Sequence, residues 1–82
     1  MILEIITPQQ MVFSGEVTLV TLPGVVGSFT VLENHAPIIS SLSHGKIVYR
    51  TAEKEFSLTV SGGFAEVHKN RLSVCVESVE NE

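Results

Sequence analysis

Apolar and polar residues alternate in steps of two through Phe56-Ser57-Leu58-Thr59-Val60 and again through Leu72-Ser73-Val74-Cys75-Val76. That is the period of a half-buried strand, because successive side chains of an extended backbone point to opposite faces. Phe56, Leu58 and Val60 therefore share one face, as do Leu72, Val74 and Val76, and both faces point at a core. Gly and Pro recur at short intervals (Pro8, Gly15, Pro23-Gly24, Gly27, Pro37, Gly45, Gly62-Gly63), which leaves no window for a helix of ordinary length. The intervening segments are rich in Val, Ile, Leu, Thr and Phe and predict strands over residues 2–7, 10–14, 16–23, 27–32, 38–42, 45–50, 55–60, 63–68 and 71–77. Nine short strands joined by turns make the chain all-β, either two antiparallel sheets packed face to face or a flattened barrel. The segment Tyr49 to Phe56, with Thr51-Ala52-Glu53-Lys54-Glu55 at its centre, reads as a polar hairpin loop. His68-Lys69-Asn70-Arg71 reads as a tight turn, with Asn70 the residue suited to a positive φ. Residues 1–77 form one sandwich domain in this reading, and residues 78–82 an acidic tail expected to fray.

Composition narrows what such a domain does. Eighty-two residues hold one domain and no interdomain cleft. A chain of this mass should expose ~4,800 Å² when folded. Apolar residues are 44% and charged residues 17% of the chain, a globular balance rather than a disordered one. The formal charge is -4, and the five basic residues, Lys46, Arg50, Lys54, Lys69 and Arg71, are dispersed. Nothing forms the basic stripe that nucleic acid or an anionic membrane surface requires. The amino terminus, MILEIITPQQ, has no positive segment followed by an apolar one, and no run approaches ~18 apolar residues. The expected chain is neither exported nor inserted in a membrane, and its single cysteine, Cys75, fits a reducing compartment.

Catalytic chemistry finds little footing. His35, His44 and His68 show no metal-ligand spacing, and Cys75 has no second thiol, so no metal site is expected. Cys75 occupies the alternate register to Leu72, Val74 and Val76, which turns it away from that core face. The chain contains no Asp, which rules out a Ser-His-Asp triad. Ser61-Gly62-Gly63 lacks the helix and lysine that complete a phosphate loop and reads as a turn. No catalytic, metal or cofactor residue is therefore assigned.

The most informative stretch is residues 22–37, LPGVVGSFTVLENHAP. Two valines stand between glycines in a turn, where they either fold back on the core or form an apolar tip that a partner covers. Glu33-Asn34-His35-Ala36-Pro37 reads as a structured corner, with polar side chains able to bond local backbone and Pro37 restricting the residue before it.

These residues carry a resemblance. VFSGEV at 12–17, LPGVVGSFTVLENHAP at 22–37, HGKIVYR at 44–50 and SGGFAEVHKNRLSV at 61–74 are together similar to the epsilon subunit of bacterial and chloroplast ATP synthases, called delta in mitochondria. The resemblance implies a two-layer antiparallel β-sandwich of ten strands in two five-stranded sheets. It implies a noncatalytic rotor component of the central stalk that binds no cofactor and couples proton-driven rotation to ATP synthesis. Its partners would be the gamma subunit on one flank and the c-ring at the lower end. The domain would be a monomer in isolation and, within the complex, peripheral to the cytoplasmic face of the bacterial plasma membrane.

Gly24, Val25, Val26, Gly27, Ser28, Glu33, Asn34 and His35 match the family positions placed toward the lower end and form the expected interface. Many family members carry an acidic residue at the position of Ser28, so a hydroxyl there replaces a charge. Full-length members continue into an inhibitory helical hairpin; this sequence stops at the sandwich and is expected to be a short form that couples without inhibiting. From the residues alone, a small ligand-binding sandwich using residues 22–37 is the alternative. Such a module would want exposed aromatics, and the chain has one Tyr and no Trp.

Overall fold

A computed structural model describes residues 1–80 of the chain. Its strands are β1 (Ile2–Ile6), β2 (Met11–Glu16), β3 (Leu19–Pro23), β4 (Ser28–Leu32), β5 (Ile38–Leu42), β6 (Gly45–Arg50), β7 (Glu55–Val60), β8 (Gly63–His68), β9 (Arg71–Val76) and β10 (Val79–Glu80). The strands pair as two five-stranded sheets. The first has the order β2-β1-β9-β8-β5 and the second β10-β7-β6-β3-β4. The hairpins β1–β2 and β8–β9 and the single strand β5 form the first layer, the hairpins β3–β4 and β6–β7 and the strand β10 the second, and their inward residues meet in one core. Leu3, Ile5, Leu72 and Val74 enter it from the first sheet, and Val20, Leu22, Val31, Ile47 and Val60 from the second. All nine are at most 1% exposed, and each contributes about 1.5–3 kcal/mol relative to an exposed position. The accessible surface, 4911 Å², agrees with the size expected of one folded domain.

The expected all-β sandwich is present, with three differences of detail. One pair, β1 with β9, is parallel, because the first and ninth strands meet through the whole length of the chain rather than through a hairpin. Residues 16–18 are not continuous strand. Val17 and Thr18 carry the chain from one sheet to the other, and their amides bond to the carbonyls of Met1 and Arg50 at 2.9 and 2.8 Å.

The third difference lies in the segment read as a fraying tail. Val79 and Glu80 pair with Val60 and Thr59 as an edge strand. Val79 packs on the core. Ser78 bonds through its amide and hydroxyl to the Ser61 hydroxyl at 3.1 and 3.0 Å. These contacts lie beyond the reach of local pattern. The last two residues of the expected tail, Asn81 and Glu82, lie outside the described residues.

The two predicted turns take their expected forms. Thr51 and Lys54 close the β6–β7 hairpin, with the Thr51 amide donating to the Lys54 carbonyl at 2.9 Å. At the β8–β9 turn Lys69 and Asn70 have φ of 52° and 62°, the pair of positive values that a two-residue hairpin requires to match strand twist.

Tyr49, on β6, is 6% exposed and lies between Phe13 and Phe56, with ring centroids 4.5 and 5.3 Å away. Burial pushes its phenol above the ordinary value, since the tyrosinate anion is poorly solvated there. Between the ordinary and the raised value the unfolded chain has released a proton that the folded chain retains. The resulting stability is complete below the ordinary value, about 10, and is lost as pH rises through the raised one. Tyr49 is the only tyrosine and there is no tryptophan, so near-ultraviolet tyrosinate absorbance reports this residue alone. The folded protein should titrate at higher pH than the urea-unfolded protein. Coincident curves would contradict the assignment.

Candidate interaction surface

The tip between β3 and β4 is held by backbone. Gly24 forms an antiparallel bridge with Leu42 of β5. The Val25 amide donates to the Ser41 carbonyl at 3.0 Å, the Ser43 amide to the Pro23 carbonyl at 2.8 Å, and the Gly27 amide to the Gly24 carbonyl at 3.0 Å. Only glycine allows this closure at position 24. A Cβ there would lie 2.6 Å from the Gly27 carbonyl oxygen and 2.9 Å from the Phe29 ring. The tip is thereby stitched to the opposite sheet while its side chains point outward. Val25 is 62% exposed and Val26 completely so. Of the two alternatives left by the sequence, the tucked loop is thus excluded. Apolar side chains on a backbone already fixed by hydrogen bonds suit binding, because little conformational entropy is left to lose.

The corner after β4 is built differently. Asn34 adopts φ of 63°, which asparagine tolerates better than most residues, and its amide donates to Asn70 Oδ1 at 2.8 Å. The His35 amide donates to the Leu32 carbonyl at 3.2 Å. His35 Nδ1 lies 2.7 Å from the Ala36 carbonyl oxygen. A carbonyl can only accept, so Nδ1 carries the proton. Glu33 stands 3.8 Å from the amino group of Met1.

The eight expected interface residues therefore do not gather at one end, as the resemblance had them. Gly24 to Ser28 lie at the start of β4 and Glu33 to His35 beyond its finish, separated by a five-residue strand of about 17 Å at ~3.3 Å per residue. A strand between two loops necessarily puts them at opposite ends. What joins them is a flank formed by β4 and β5, the edge strands of the two sheets. Neither strand contains a charged residue. Leu32 and Ile39 are 53% and 74% exposed. Natural edge strands are commonly protected by charge or proline against unwanted pairing, and this flank has neither within its strands. Leu32 and Ile39 went unremarked in the sequence because nothing local marks a strand as an edge.

The outer face of the first sheet carries a second apolar patch. Met11 pairs with Ile6, Ile6 with Cys75, and Cys75 with Phe64. Beside them opens a cavity of about 430 Å³ lined by Ile6, Pro8, Phe64 and Cys75 among others. Cys75 faces outward, as its register predicts, and is half-buried. The histidines divide: His44 Nε2 lies 3.4 Å from Glu80 on β10, whereas His35 and His68 line one concavity. No three His, Cys, Asp or Glu side chains converge on a metal position among the described residues. No helix among the described residues is long and apolar enough to cross a membrane.

Comparison with known proteins agrees with this architecture. The β-sandwich domain of the ATP synthase delta/epsilon chain matches residues 1–82. The ATP synthase epsilon chain of Desulfosudis oleivorans is 48% identical over 81 residues, covering 98% of this chain and 61% of the relative. That of Nitratidesulfovibrio vulgaris is 45% identical over 78 residues, 95% of this chain and 58% of the relative. The chain thus spans about three-fifths of the length of these curated relatives. Among solved structures, a chain of the Euglena gracilis mitochondrial ATP synthase superposes with a TM-score of 0.89 at 21% identity, over 95% of this chain and 51% of that one. A chain of the Tetrahymena thermophila mitochondrial enzyme, from its central stalk and c-ring, gives 0.85 at 15% identity, over 98% of this chain and 65% of that one. The structural likenesses establish the shared fold, and the match along the full sequence establishes that the chain belongs to the family of ATP synthase delta/epsilon β-sandwich domains.

Proposed function

We propose that this domain is a noncatalytic rotor component of a proton-translocating ATP synthase, joining the gamma subunit to the c-ring so that ion-driven rotation reaches the catalytic head. The observation that carries the reading is the 48% identity, over nearly the whole chain, to an ATP synthase epsilon chain. The structure supplies a suitable surface for such a role: an apolar tip at Val25 and Val26 on a hydrogen-bonded backbone, continuous with the uncharged flank of β4 and β5. A rigid sandwich with one shared core transmits torque without deforming, because close-packed interiors are nearly incompressible. Ser28, exposed beside the tip, offers a hydroxyl for hydrogen bonding to a partner. The domain would sit at the cytoplasmic face of the bacterial plasma membrane, held there by its partners.

Reconstitution tests the proposal. A purified gamma and c-ring complex should retain the 82-residue chain through gel filtration. Vesicles containing an ATP synthase stripped of its own epsilon chain should pump more protons per ATP hydrolysed once the chain is added. Failure of retention together with unchanged pumping would refute the role.

A further inference from the structure

The corner after β4 and the β8–β9 turn face each other across a concavity of about 520 Å³. Asn34 and His35 form one wall, His68, Lys69 and Asn70 the other, and Ala36 and Pro37 complete it. The three non-glycine residues with positive φ, Asn34, Lys69 and Asn70, all belong to this one place. The hydrogen bond from the Asn34 amide to Asn70 Oδ1 ties the two walls together and turns the Asn70 Nδ2 donors away from that contact. The His35 ring is fixed beside the space by its Nδ1, 2.7 Å from the Ala36 carbonyl oxygen.

Arg50, Arg71, His44 and the amino terminus each face a carboxylate, on Glu55, Glu4, Glu80 and Glu33 respectively. His35, His68 and Lys69 form no such pair among the described residues, and no carboxylate lines the space. These three are grouped at the concavity, whereas Lys46 and Lys54, which likewise face no carboxylate among the described residues, stand singly on β6 and in the β6–β7 turn, Lys54 over the Phe56 ring at 5.0 Å. Glu33 adjoins the corner and stands opposite the Met1 amino group, and Glu66 borders a neighbouring cavity with His68. A chain of net charge -4 thus collects an unpaired ammonium, two imidazoles and amide donors around one concave space.

We infer that this concavity is a binding site for a phosphate group. Donors on two opposed walls suit a tetrahedral oxyanion, whose oxygens point in several directions. A planar carboxylate is best held by the fork of an arginine, and neither arginine lines the space. The volume exceeds that of phosphate alone and leaves room for an esterified substituent, so the group comes either from a soluble phosphate ester or from a lipid headgroup. The site is separate from the Val25–Val26 tip and does not depend on the rotor role.

The test is an amide NMR titration of the 82-residue chain with inorganic phosphate, ionic strength being balanced with sodium chloride. Saturable shifts are expected at Asn34, His35, Lys69 and Asn70. The double variant His68→Gln, Lys69→Asn removes the charge while asparagine keeps the left-handed turn, and should weaken binding by about tenfold or more. Non-saturating shifts, or equal affinity in the folded double variant, would overturn the inference. Sedimentation with phosphatidylglycerol vesicles, but not phosphatidylcholine ones, lost in the double variant, would assign a lipid phosphate as the source. Saturable phosphate binding without sedimentation assigns a soluble ester.

Discussion

Replacing Gly63 by alanine is expected to be the most damaging small substitution in the domain, costing about 3–5 kcal/mol. Gly63 opens β8 in the middle of the first sheet, paired on one side with Leu42 of β5 and on the other with Val76 of β9. A Cβ there would penetrate the backbone carbonyl of Cys75 and come within 2.8 Å of the Val76 Cα. Both obstacles are main chain of a neighbouring strand, which cannot rotate aside, and φ at Gly63 is 150°, unfavourable for a residue with a side chain. Relief requires β8 and β9 to separate, where the core residues Val74 and Val76 enter. A domain of 82 residues has a total stability of only about 4–12 kcal/mol. Thermal unfolding should fall by about 15 °C or more. Gly15→Ala is the control, because its new methyl would meet only the end of the Phe13 ring, at 3.1 Å. Equal melting temperatures for the two variants would show that β8 and β9 are not packed as described.

The double substitution Val25→Glu, Val26→Glu should have the opposite signature, with a large effect on assembly and almost none on folding. Val26 is fully exposed and Val25 largely so, so neither carboxylate is buried in the free domain, and its stability should stay within about 0.5 kcal/mol. In a contact with gamma or the c-ring the same carboxylates would be desolvated without partners. The penalty is of hot-spot size, about 2 kcal/mol or more, equivalent to about thirtyfold in affinity. The measurement is retention by the gamma and c-ring complex alongside the melting temperature. Unchanged binding would remove the tip from the interface. A large drop in melting temperature would show that the valines pack on the domain itself. Replacement of Ile39 by Glu on the β5 edge, 74% exposed, distinguishes a contact limited to the tip from one that extends along the flank.

Much of this molecule was legible along the chain. The bounds of β5, β6, β7 and β8 coincide with the expected ones to the residue, and Asn70 takes the positive φ its turn demanded. Period-two alternation and Gly or Pro punctuation express local backbone geometry, and each segment reports its own conformation whatever it later packs against. The motifs at 12–17, 22–37, 44–50 and 61–74 likewise carried the family, because they depend on residue identity and spacing alone.

Other properties are set by pairings between distant segments, and only the folded chain decided them. The parallel alignment of β1 with β9 joins Ile2 to Arg71. The short β10 strand exists because Ser61 and Val60 hold a segment that is otherwise polar and unpatterned. His35 and His68 share a concavity only because the corner and the β8–β9 turn close on one another. The same holds for the candidate interface. Residues 23–27 were recognisable as a turn and residues 33–37 as a corner, yet the outward direction of Val25 and Val26 follows from hydrogen bonds to β5. The separation of tip from corner was implicit in the strand read between them, and the uncharged flank that connects them depends on β4 and β5 being edges. Alternation reveals that a strand has two faces, because that follows from its own backbone; which of its edges remains unpaired depends on the order in which the whole sheet assembles.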